Sequence, residues 1–264
     1  MITFRDWISA LRELEITAHL PVLVHAAPEL ALESRGGAQT TLTALLATYD
    51  GIMLPAFTHR TMVIPSKGPE NNGMDYLDTA SNSQAEIFSA ALQPDTDLGE
   101  LPSLLEQHAD STRSIHPVLS FMGIGVDSAL SAQTIEEPLA PIRVISDLNG
   151  WVLLLGEDHR RNTAIHYAEF LVNRKQFTRW ALTSEGVVEC PNMPGCPNGF
   201  NAISSALAGY CKHSQLGDYL LQAYPVGSLV QIVSGILKLD PLRLLCSDES
   251  CLLCNAVRRS IMLK

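Results

Sequence analysis

The chain has no uninterrupted apolar run of about 18 residues, the length that a membrane-spanning helix requires. A signal-peptide core is also missing near the start, because Asp6, Arg12, Glu13 and Glu15 interrupt the apolar positions there. Aromatic residues make up only 6% of the sequence, whereas the hydrophobic share of 46% is ordinary for a globular protein. We therefore expect a cytoplasmic protein that does not enter a membrane, with residues 1–264 forming a single domain.

Positive charge is scarce as well. The 18 lysines and arginines are outnumbered by 28 aspartates and glutamates, which leaves a formal net charge of −10. A surface that binds DNA or RNA needs clustered positive charge to meet the phosphates, so we expect no nucleic-acid partner. A negative protein is better suited to a cationic small molecule, although many proteins are acidic for solubility alone.

Short apolar runs alternate with helix-like stretches along most of the chain. Residues 21–25 and 151–156 are predicted to be buried strands, and each is followed by a loop and then a helix. This alternation predicts an α/β fold in which a central sheet is flanked by helices, although the strand order cannot be derived. The remaining predictions are an N-terminal helix capped by Thr3, helices at 40–48, 99–107, 162–174, 201–212 and 216–224, and strands at 51–58, 118–123 and 179–190.

The helix predicted after the second of these strands carries polar side chains at helical spacing. Asn162, His166, Glu169 and Asn173 are separated by four, three and four residues, which places them along one face. The Glu169 carboxylate could fix the tautomer of the His166 imidazole and leave the other ring nitrogen to take a proton. Thr163 would lie at the helix start, where backbone N–H groups stabilise a developing negative charge.

Spacing alone supports a purely structural interpretation equally well. Asn162 or Thr163 could simply cap the helix, while His166 and Glu169 form a solvated surface pair. The pattern therefore identifies candidate residues without deciding between catalysis and structure.

A series of short motifs in a fixed order separates these two interpretations. The motifs are Leu23-Val-His25, Gly36-Gly-Ala-x-Thr40, Gly51-x-x-Leu-Pro55-x-Phe-Thr58, Gly99-x-x-Pro102, Arg113-Ser-x-His-Pro117-x-x-Ser120 and Leu155-Gly156 leading to Asn162-Thr-x-x-His166-x-Ala-Glu169. Over roughly residues 20–200 this series resembles the aminoglycoside 3-N-acetyltransferase family, and the last motif is the sharpest. The resemblance implies that family's α/β arrangement, which is distinct from the GNAT fold, and a single acetyltransferase domain over residues 1–264.

The resemblance also implies a reaction, the direct transfer of an acetyl group from the co-substrate acetyl-CoA to the 3-N position of an aminoglycoside. His166 would be the general base that deprotonates the amine, Glu169 would orient and polarise it, and Thr163 would lie close to the thioester. The partner would be a small cationic amine, and the activity would confer antibiotic resistance. No metal is predicted at this site, and the oligomeric state stays open, a homodimer being one option.

Three short segments are implied by the same resemblance to bind coenzyme A. Their residues are His25, Ala26, Ala27, Gly36, Gly37, Arg113, Ser114 and His116. The chain departs from the family here, because the family usually has two serines after the strand histidine and this chain has Ala26 and Ala27. Two hydroxyl donors are lost, so coenzyme binding is expected to be weaker or differently arranged. For His25 and His116 themselves, a buried structural role is the favoured interpretation over catalysis.

Two other functions stay open at this point. The altered residues 26–27 permit an acyltransferase of the same fold that acts on a different small amine, since fold and motif do not fix the substrate. The chain could also be a non-catalytic binding protein that has lost its affinity for the coenzyme.

The six cysteines are expected to be free thiols or metal ligands, because disulfides are rare in a reducing compartment. Cys246, Cys251 and Cys254 combine a CxxC motif with a third cysteine, and Cys190 and Cys196 flank a turn earlier in the chain. Four thiolates could hold a structural zinc ion, but a complete site conventionally has two CxxC-like hairpins and only one is present. Small buried hydrophobic side chains are therefore the favoured interpretation.

Overall fold

In the computed structural model, which describes residues 1–262, helices and strands alternate along the chain. The helices are α1 (Phe4–Glu13), α2 (Pro28–Glu33), α3 (Ala38–Leu46), α4 (Leu101–Glu106), α5 (Asp127–Ser131), α6 (Ala140–Asp147), α7 (Thr163–Leu171), α8 (Ser204–Leu207), α9 (Val226–Leu239) and α10 (Leu252–Met262). The strands are β1 (Val22–Ala26), β2 (Ile52–Pro55), β3 (Met62–Val63), β4 (Thr112–Arg113), β5 (Phe121–Ile124), β6 (Trp151–Leu155), β7 (Phe177–Thr183), β8 (Gly186–Met193), β9 (Lys212–Leu216) and β10 (Tyr219–Pro225). Within residues 1–262, no helix combines the length and the apolar character that a bilayer crossing needs.

The central sheet has seven strands in the order β4-β5-β2-β1-β6-β10-β9. Its middle strands β2, β1 and β6 run parallel, and Leu23 of β1 lies opposite Met53 of β2 and Val152 of β6. The outer pairs are antiparallel, and β3, β7 and β8 form a separate antiparallel sheet of three strands. The predicted α/β class is therefore confirmed, and the carboxyl ends of the three parallel strands meet at one edge, where open α/β sheets commonly bind ligands.

Successive side chains of β1 point to opposite faces of the central sheet, and this determines on which face His25 lies. Leu23 packs into one hydrophobic cluster, whereas Val22 and Val24 pack into a second cluster on the opposite face of the sheet. Because successive strand residues point to opposite faces, His25 shares the face of Leu23. Helices α7 and α9 cover this face, so a polar side chain at the end of β1 lies next to α7. Both clusters pack against one sheet, and the single domain over residues 1–264 stays a prediction.

The N-terminal helix begins where the sequence predicts. The Thr3 hydroxyl accepts a hydrogen bond from the Asp6 backbone N–H at 3.3 Å, and the Asp6 carboxylate accepts one from the Thr3 N–H at 2.8 Å. These two bonds form a capping box that satisfies N–H groups the helix cannot pair itself. Trp7 and Leu11 then bury the inner face of α1.

Two stretches in the second half of the chain differ from the prediction. Residues 216–224, predicted as a helix, belong to the β9–β10 hairpin, because Gly217 adopts a φ of +59° and reverses the chain. The single strand predicted at 179–190 is likewise a hairpin of β7 and β8, with Gly186 at a φ of +112°. Glycine turns of this kind convert one apolar stretch into two paired strands.

The helices of the second half also differ. The predicted helix at 201–212 is a succession of short turns around α8, and the 14-residue α9 was not predicted at all. Helix α7 ends at Leu171 instead of residue 174, because Asn173 takes a left-handed φ of +55° that stops the helix.

Candidate active site

Helix α7 starts directly beyond the carboxyl end of β6. The Asn162 side chain caps it, with Oδ1 accepting a hydrogen bond from the Ala164 N–H at 3.2 Å. Residues Thr163 through Glu169 are all buried, so Asn162, His166 and Glu169 of the predicted polar stripe lie inside the protein. Asn173, the fourth predicted member, lies beyond the end of the helix and is exposed. The side chains of His166 and Glu169 are only 9% and 7% exposed, so the interpretation of a solvated surface pair is wrong.

His166, Glu169 and Arg174 form a continuous buried chain of charge-assisted contacts. His166 Nδ1 lies 2.7 Å from Glu169 Oε2, and Arg174 Nη1 donates to Glu169 Oε1 at 2.9 Å. The Arg174 side chain is 4% exposed and also donates through Nη2 to the Arg243 carbonyl at 2.9 Å. An ionised carboxylate only accepts hydrogen bonds, so Nδ1 carries the proton and Nε2 is left as the basic nitrogen of the ring.

The His166 ring lines a cleft with a volume of about 310 Å³ at the carboxyl edge of the sheet. Thr163 and His25 line the same cleft, and Thr163 Oγ1 lies 3.2 Å from His25 Nε2. The ring of Phe200 packs edge-on against His166, with 4.7 Å between the ring centroids. The structure thus brings the three predicted catalytic residues, His166, Glu169 and Thr163, into one site and fixes the orientation of the imidazole.

His25 contributes a neutral ring to this site. Burial lowers its pKa to about 3, and the nearby positive charge of Arg161 acts in the same direction. The imidazole can therefore exchange a hydrogen bond with the Thr163 hydroxyl at neutral pH but carries no charge. Thr163 is the first residue of α7, so its hydroxyl lies at the helix end that favours negative charge.

The residues that follow His25 line neighbouring parts of the same edge. Ala26 lines a narrow pocket beside His25, and Ala27 lines an open cleft of about 560 Å³. Arg161 belongs to the walls of both and of the cleft that holds His166, so the three spaces adjoin. Coenzyme contacts from these two alanines are geometrically feasible and stay a prediction.

The glycine turn predicted for the coenzyme site has a different place in the fold. Gly36 and Gly37 adopt φ values of +97° and +68° and lead into α3, which explains why glycine suits both positions. Neither residue belongs to the described walls of the cleft around His166. Their assignment to the coenzyme site stays a prediction without support from these contacts.

Arg113 and Ser114 are occupied by internal hydrogen bonds near β4 and β5. Arg113 donates through Nε to Ser120 Oγ at 3.1 Å and through Nη2 to the Ala56 carbonyl at 2.9 Å. The Ser114 hydroxyl accepts from the Phe121 N–H at 2.8 Å. Neither residue belongs to the described wall around His166, and their predicted coenzyme role stays a prediction.

His116 is a buried histidine whose ring is held by backbone hydrogen bonds. Its Nδ1 accepts hydrogen bonds from the backbone N–H groups of Val118 at 3.1 Å and Leu119 at 3.0 Å. It too lies outside the described wall around His166, and both its structural interpretation and its coenzyme role stay predictions. Burial lowers the pKa of His116 to about 4, and it does the same for His159 beside α7.

These buried histidines predict how stability depends on pH. The unfolded chain protonates His25, His116 and His159 near their ordinary pKa of about 6.5, whereas the folded state keeps them neutral down to about pH 4. The unfolded state thus binds more protons below pH 6.5. The free energy of unfolding should therefore be unaffected above that pH and fall by up to about 1.4 kcal/mol per histidine per pH unit below it. Urea midpoints measured from about pH 7.5 to about pH 5.5 check this.

A matched pair of variants isolates the histidine contribution. His116→Asn keeps a hydrogen-bond acceptor but cannot be protonated, so it should remove about a third of the pH dependence in this window. His108→Asn, at an exposed histidine, should leave the dependence unchanged. A urea midpoint that stays constant down to pH 5.5 would contradict the assignment of neutral buried rings.

Several charged residues of the cleft were not among the sequence candidates. Arg160, Arg161 and Arg179 line it together with Asp97, and Arg161 Nη1 pairs with Asp97 Oδ2 at 3.1 Å. The charged loop after β6 was a usable signal for the first two arginines. No local signal marks Arg179 or Asp97, because each reaches the cleft through tertiary packing from a distant part of the chain.

The cysteines separate into two groups. Cys190 is fully buried in β8, where burial raises its thiol pKa to about 12, so it fits the interpretation as a small buried side chain. The sulfur atoms of Cys196, Cys246, Cys251 and Cys254 instead lie within 4.8 Å of one another. The expectation that these four are merely buried hydrophobic side chains is therefore incomplete.

Comparison with known proteins identifies the family. A family model described as aminoglycoside 3-N-acetyltransferase matches residues 23–238, which include His25, Thr163, His166 and Glu169, and the chain belongs to this family of enzymes. The predicted family and enzyme class are thereby confirmed.

Individual relatives have low sequence identity to this chain, but the matches cover most of each chain. The aminoglycoside N(3)-acetyltransferase III of Salmonella sp is 24% identical over 246 residues, which cover 81% of this chain and 83% of the relative. The crystal structure of the aminoglycoside acetyltransferase AAC(3)-IVa apoenzyme matches with a TM-score of 0.79 at 23% identity and covers 98% of both chains. A structure of AAC-IIIb in a binary complex with CoASH matches with a TM-score of 0.71 at 17% identity, covering 89% of this chain and 96% of that one. The chain therefore shares its fold with these two acetyltransferases.

Proposed function

We propose that the protein transfers an acetyl group from acetyl-CoA to an amine of an aminoglycoside, at the 3-N position. The observation that carries this proposal is the His166 imidazole in the cleft, with Nδ1 held by Glu169 at 2.7 Å and Nε2 left to act as a base. Family membership supports the reaction, and the CoASH complex of AAC-IIIb supports the co-substrate.

The proposed step transfers one proton and exchanges one bond. His166 Nε2 removes a proton from the substrate amine, and the nitrogen lone pair attacks the carbonyl carbon of the thioester. A C–N bond forms, the C–S bond breaks, and the coenzyme A thiolate leaves and receives a proton from the imidazolium. Glu169 stabilises that imidazolium, and the Thr163 hydroxyl can donate a hydrogen bond to the developing oxyanion.

The coenzyme's phosphates would lie in the open cleft lined by Ala27. Arg160 and Arg161 belong to its wall together with Glu29, Asp97, Glu157 and Asp158. Arg160 pairs with Asp158 and Arg161 with Asp97, so the two guanidinium groups would exchange these carboxylates for the phosphates, which they bind through charge-assisted hydrogen bonds. This arrangement suits a chain in which Ala26 and Ala27 lack the serine hydroxyls typical of the family. The loop arginines would then supply part of the coenzyme affinity that the hydroxyls supply elsewhere.

One observation favours a second acceptor class. The described wall of the cleft around His166 contains Arg160, Arg161 and Arg179, but Asp97 is its one carboxylate and is already paired with Arg161. A polycationic aminoglycoside is better held by unpaired carboxylates. Arg160 and Arg161 are paired with Asp158 and Asp97, so Arg179 is the arginine of this wall that has no carboxylate partner among the described residues. An amine that also carries an acidic group fits Arg179, which would make the protein an N-acyltransferase for a different small amine.

A thiol-release assay with acetyl-CoA tests the proposal. We expect gentamicin or apramycin to elicit release of free coenzyme A with a kcat/KM of at least about 10⁴ M⁻¹s⁻¹, a value in the usual range for enzymes. Release only with amines that carry a carboxylate would establish the second acceptor class. If no amine elicits release and calorimetry detects no binding of acetyl-CoA, both enzymatic proposals fail.

A further inference from the structure

Four cysteines from separate parts of the chain converge on one point beside the cleft. Cys196 follows β8, Cys246 lies in the turn before α10, and Cys251 and Cys254 flank the start of α10. Their sulfur atoms all lie within 4.8 Å of one another, and Cys246 Sγ is 3.3 Å from Cys254 Sγ. All six cysteines, which fall within residues 1–262, are free thiols.

We propose that Cys196, Cys246, Cys251 and Cys254 bind one zinc ion in a structural site. A tetrahedral zinc with Zn–S bonds of about 2.3 Å places its sulfur ligands about 3.8 Å apart, which small shifts within this cluster can reach. Four soft thiolates favour Zn²⁺ over Mg²⁺ or Ca²⁺, which prefer oxygen ligands. On binding, the four thiols lose four protons, four Zn–S bonds form, and the centre carries a net charge of −2.

The surroundings of the cluster suit thiolate ligands. The Cys246 backbone N–H donates to Cys254 Sγ at 3.4 Å, and the N–H groups of Asn198 and Cys254 approach the sulfur atoms of Cys196 and Cys251. Such N–H···S contacts offset the negative charge of a four-thiolate centre and orient its ligands. The Arg258 side chain also fixes the turn before α10, because Nη2 donates to the Cys246 carbonyl at 2.6 Å.

The cluster has a direct connection to the cleft. Pro194, Gly195 and Pro197, which surround Cys196, line the cleft of His166, and so does Leu253, which lies between two of the other ligands. A zinc ion would therefore fasten the loop after β8 to the start of α10 and hold this part of the cleft wall in place. The metal would be structural, since the reaction already has its base and leaving group.

Metal analysis of the full-length protein tests the site without reference to activity. Protein produced with zinc in the medium and purified without chelators should contain about one zinc ion per chain, as measured by inductively coupled plasma mass spectrometry. Cys251→Ser should lower this to below about 0.2, whereas the matched variant Cys211→Ser, at a cysteine outside the cluster, should retain the metal. Cobalt added to the metal-free protein should give the visible absorption of tetrahedral cobalt thiolate.

A second measurement covers the case in which Cys251→Ser does not fold. Removing zinc from the unaltered protein with a chelator should lower the thermal midpoint by on the order of 10 °C, and added Zn²⁺ should restore it. Less than about 0.2 zinc per chain after reconstitution under reducing conditions would overturn the proposal. A mass about 2 Da too low, from a Cys246–Cys254 disulfide in the reconstituted protein, would overturn it as well. Because no readout depends on acetyl transfer, failure here is separable from failure of the proposed activity.

Discussion

Replacing His166 with alanine should lower kcat/KM for acetyl transfer by about 10²- to 10⁴-fold while the protein stays folded. The expected loss is large because Nδ1 is committed to Glu169, so Nε2 is the one nitrogen of this ring that can take the substrate proton. The thiol-release assay gives the rate, and circular dichroism with a thermal midpoint confirms the fold. The effect should appear mainly in kcat, since the imidazole acts on the transition state.

The matched control is His213→Ala, which removes an exposed imidazole on β9 and should stay within about twofold of the parent protein. Added imidazole should restore part of the activity of His166→Ala, because it replaces the missing base in a cleft of about 310 Å³. Equal activity of His166→Ala and the parent would contradict the assignment. A change confined to KM would point to substrate binding instead of proton transfer.

The catalytic pair was predictable because its determinants are local. His166 and Glu169 are three residues apart on one helix, so spacing alone places them together, and the surrounding motif identifies their chemistry. Arg174 was not predictable as the third member, since it lies beyond the end of α7. The left-handed turn at Asn173, with a φ of +55°, brings it back to Glu169.

The fold was predictable where burial is uniform and less so where glycine reverses the chain. The parallel strands β1 and β6 are continuous apolar runs, a pattern typical of sheets covered on both faces. Helix α9 was missed because its valines and two isoleucines favour a strand and its two glycines are poor helix formers, whereas packing against α7 settles the outcome.

The cysteine cluster shows a different limit. A site made of two CxxC hairpins can be recognised in the sequence. This cluster instead combines one CxxC motif with the nearby Cys246 and with Cys196, which lies more than forty residues before the other three cysteines. The segments predicted to bind coenzyme A show the opposite case, in which a sequence motif is present but does not establish a ligand contact. Arg113 and Ser114 match the family motif, but their hydrogen bonds are made within the protein. Motif membership does not distinguish a ligand contact from an internal one.

Replacing Glu169 with glutamine should reduce kcat by about 10- to 100-fold and change KM by less than about threefold. The amide keeps the size of the side chain, but it cannot stabilise the imidazolium that forms when His166 takes a proton. The substitution also leaves the Arg174 guanidinium, which is 4% exposed, without its carboxylate. Breaking a buried ion pair on one side should lower the free energy of unfolding by about 3 kcal/mol.

Catalytic and structural losses can be separated with a second substitution. In Glu169→Gln/Arg174→Met the unpaired charge is gone and an apolar side chain of similar length fills its space, so most of the stability should return. The rate should not return, because the imidazolium still lacks a carboxylate. Urea unfolding and the thiol-release assay on the parent, the single variant and the double variant give both quantities.

The kcat of the double variant Glu169→Gln/Arg174→Met distinguishes an electrostatic role of Glu169 from a purely structural one. If the double variant recovers kcat together with stability, Glu169 acts only by keeping α7 and the Arg174 turn in place, and the electrostatic role is wrong. The single variant Arg174→Met completes the cycle, since it retains the carboxylate that orients Nδ1 while removing its second partner. An Arg174→Met protein that is destabilised but keeps most of its kcat would assign the catalytic contribution to the Glu169 carboxylate itself.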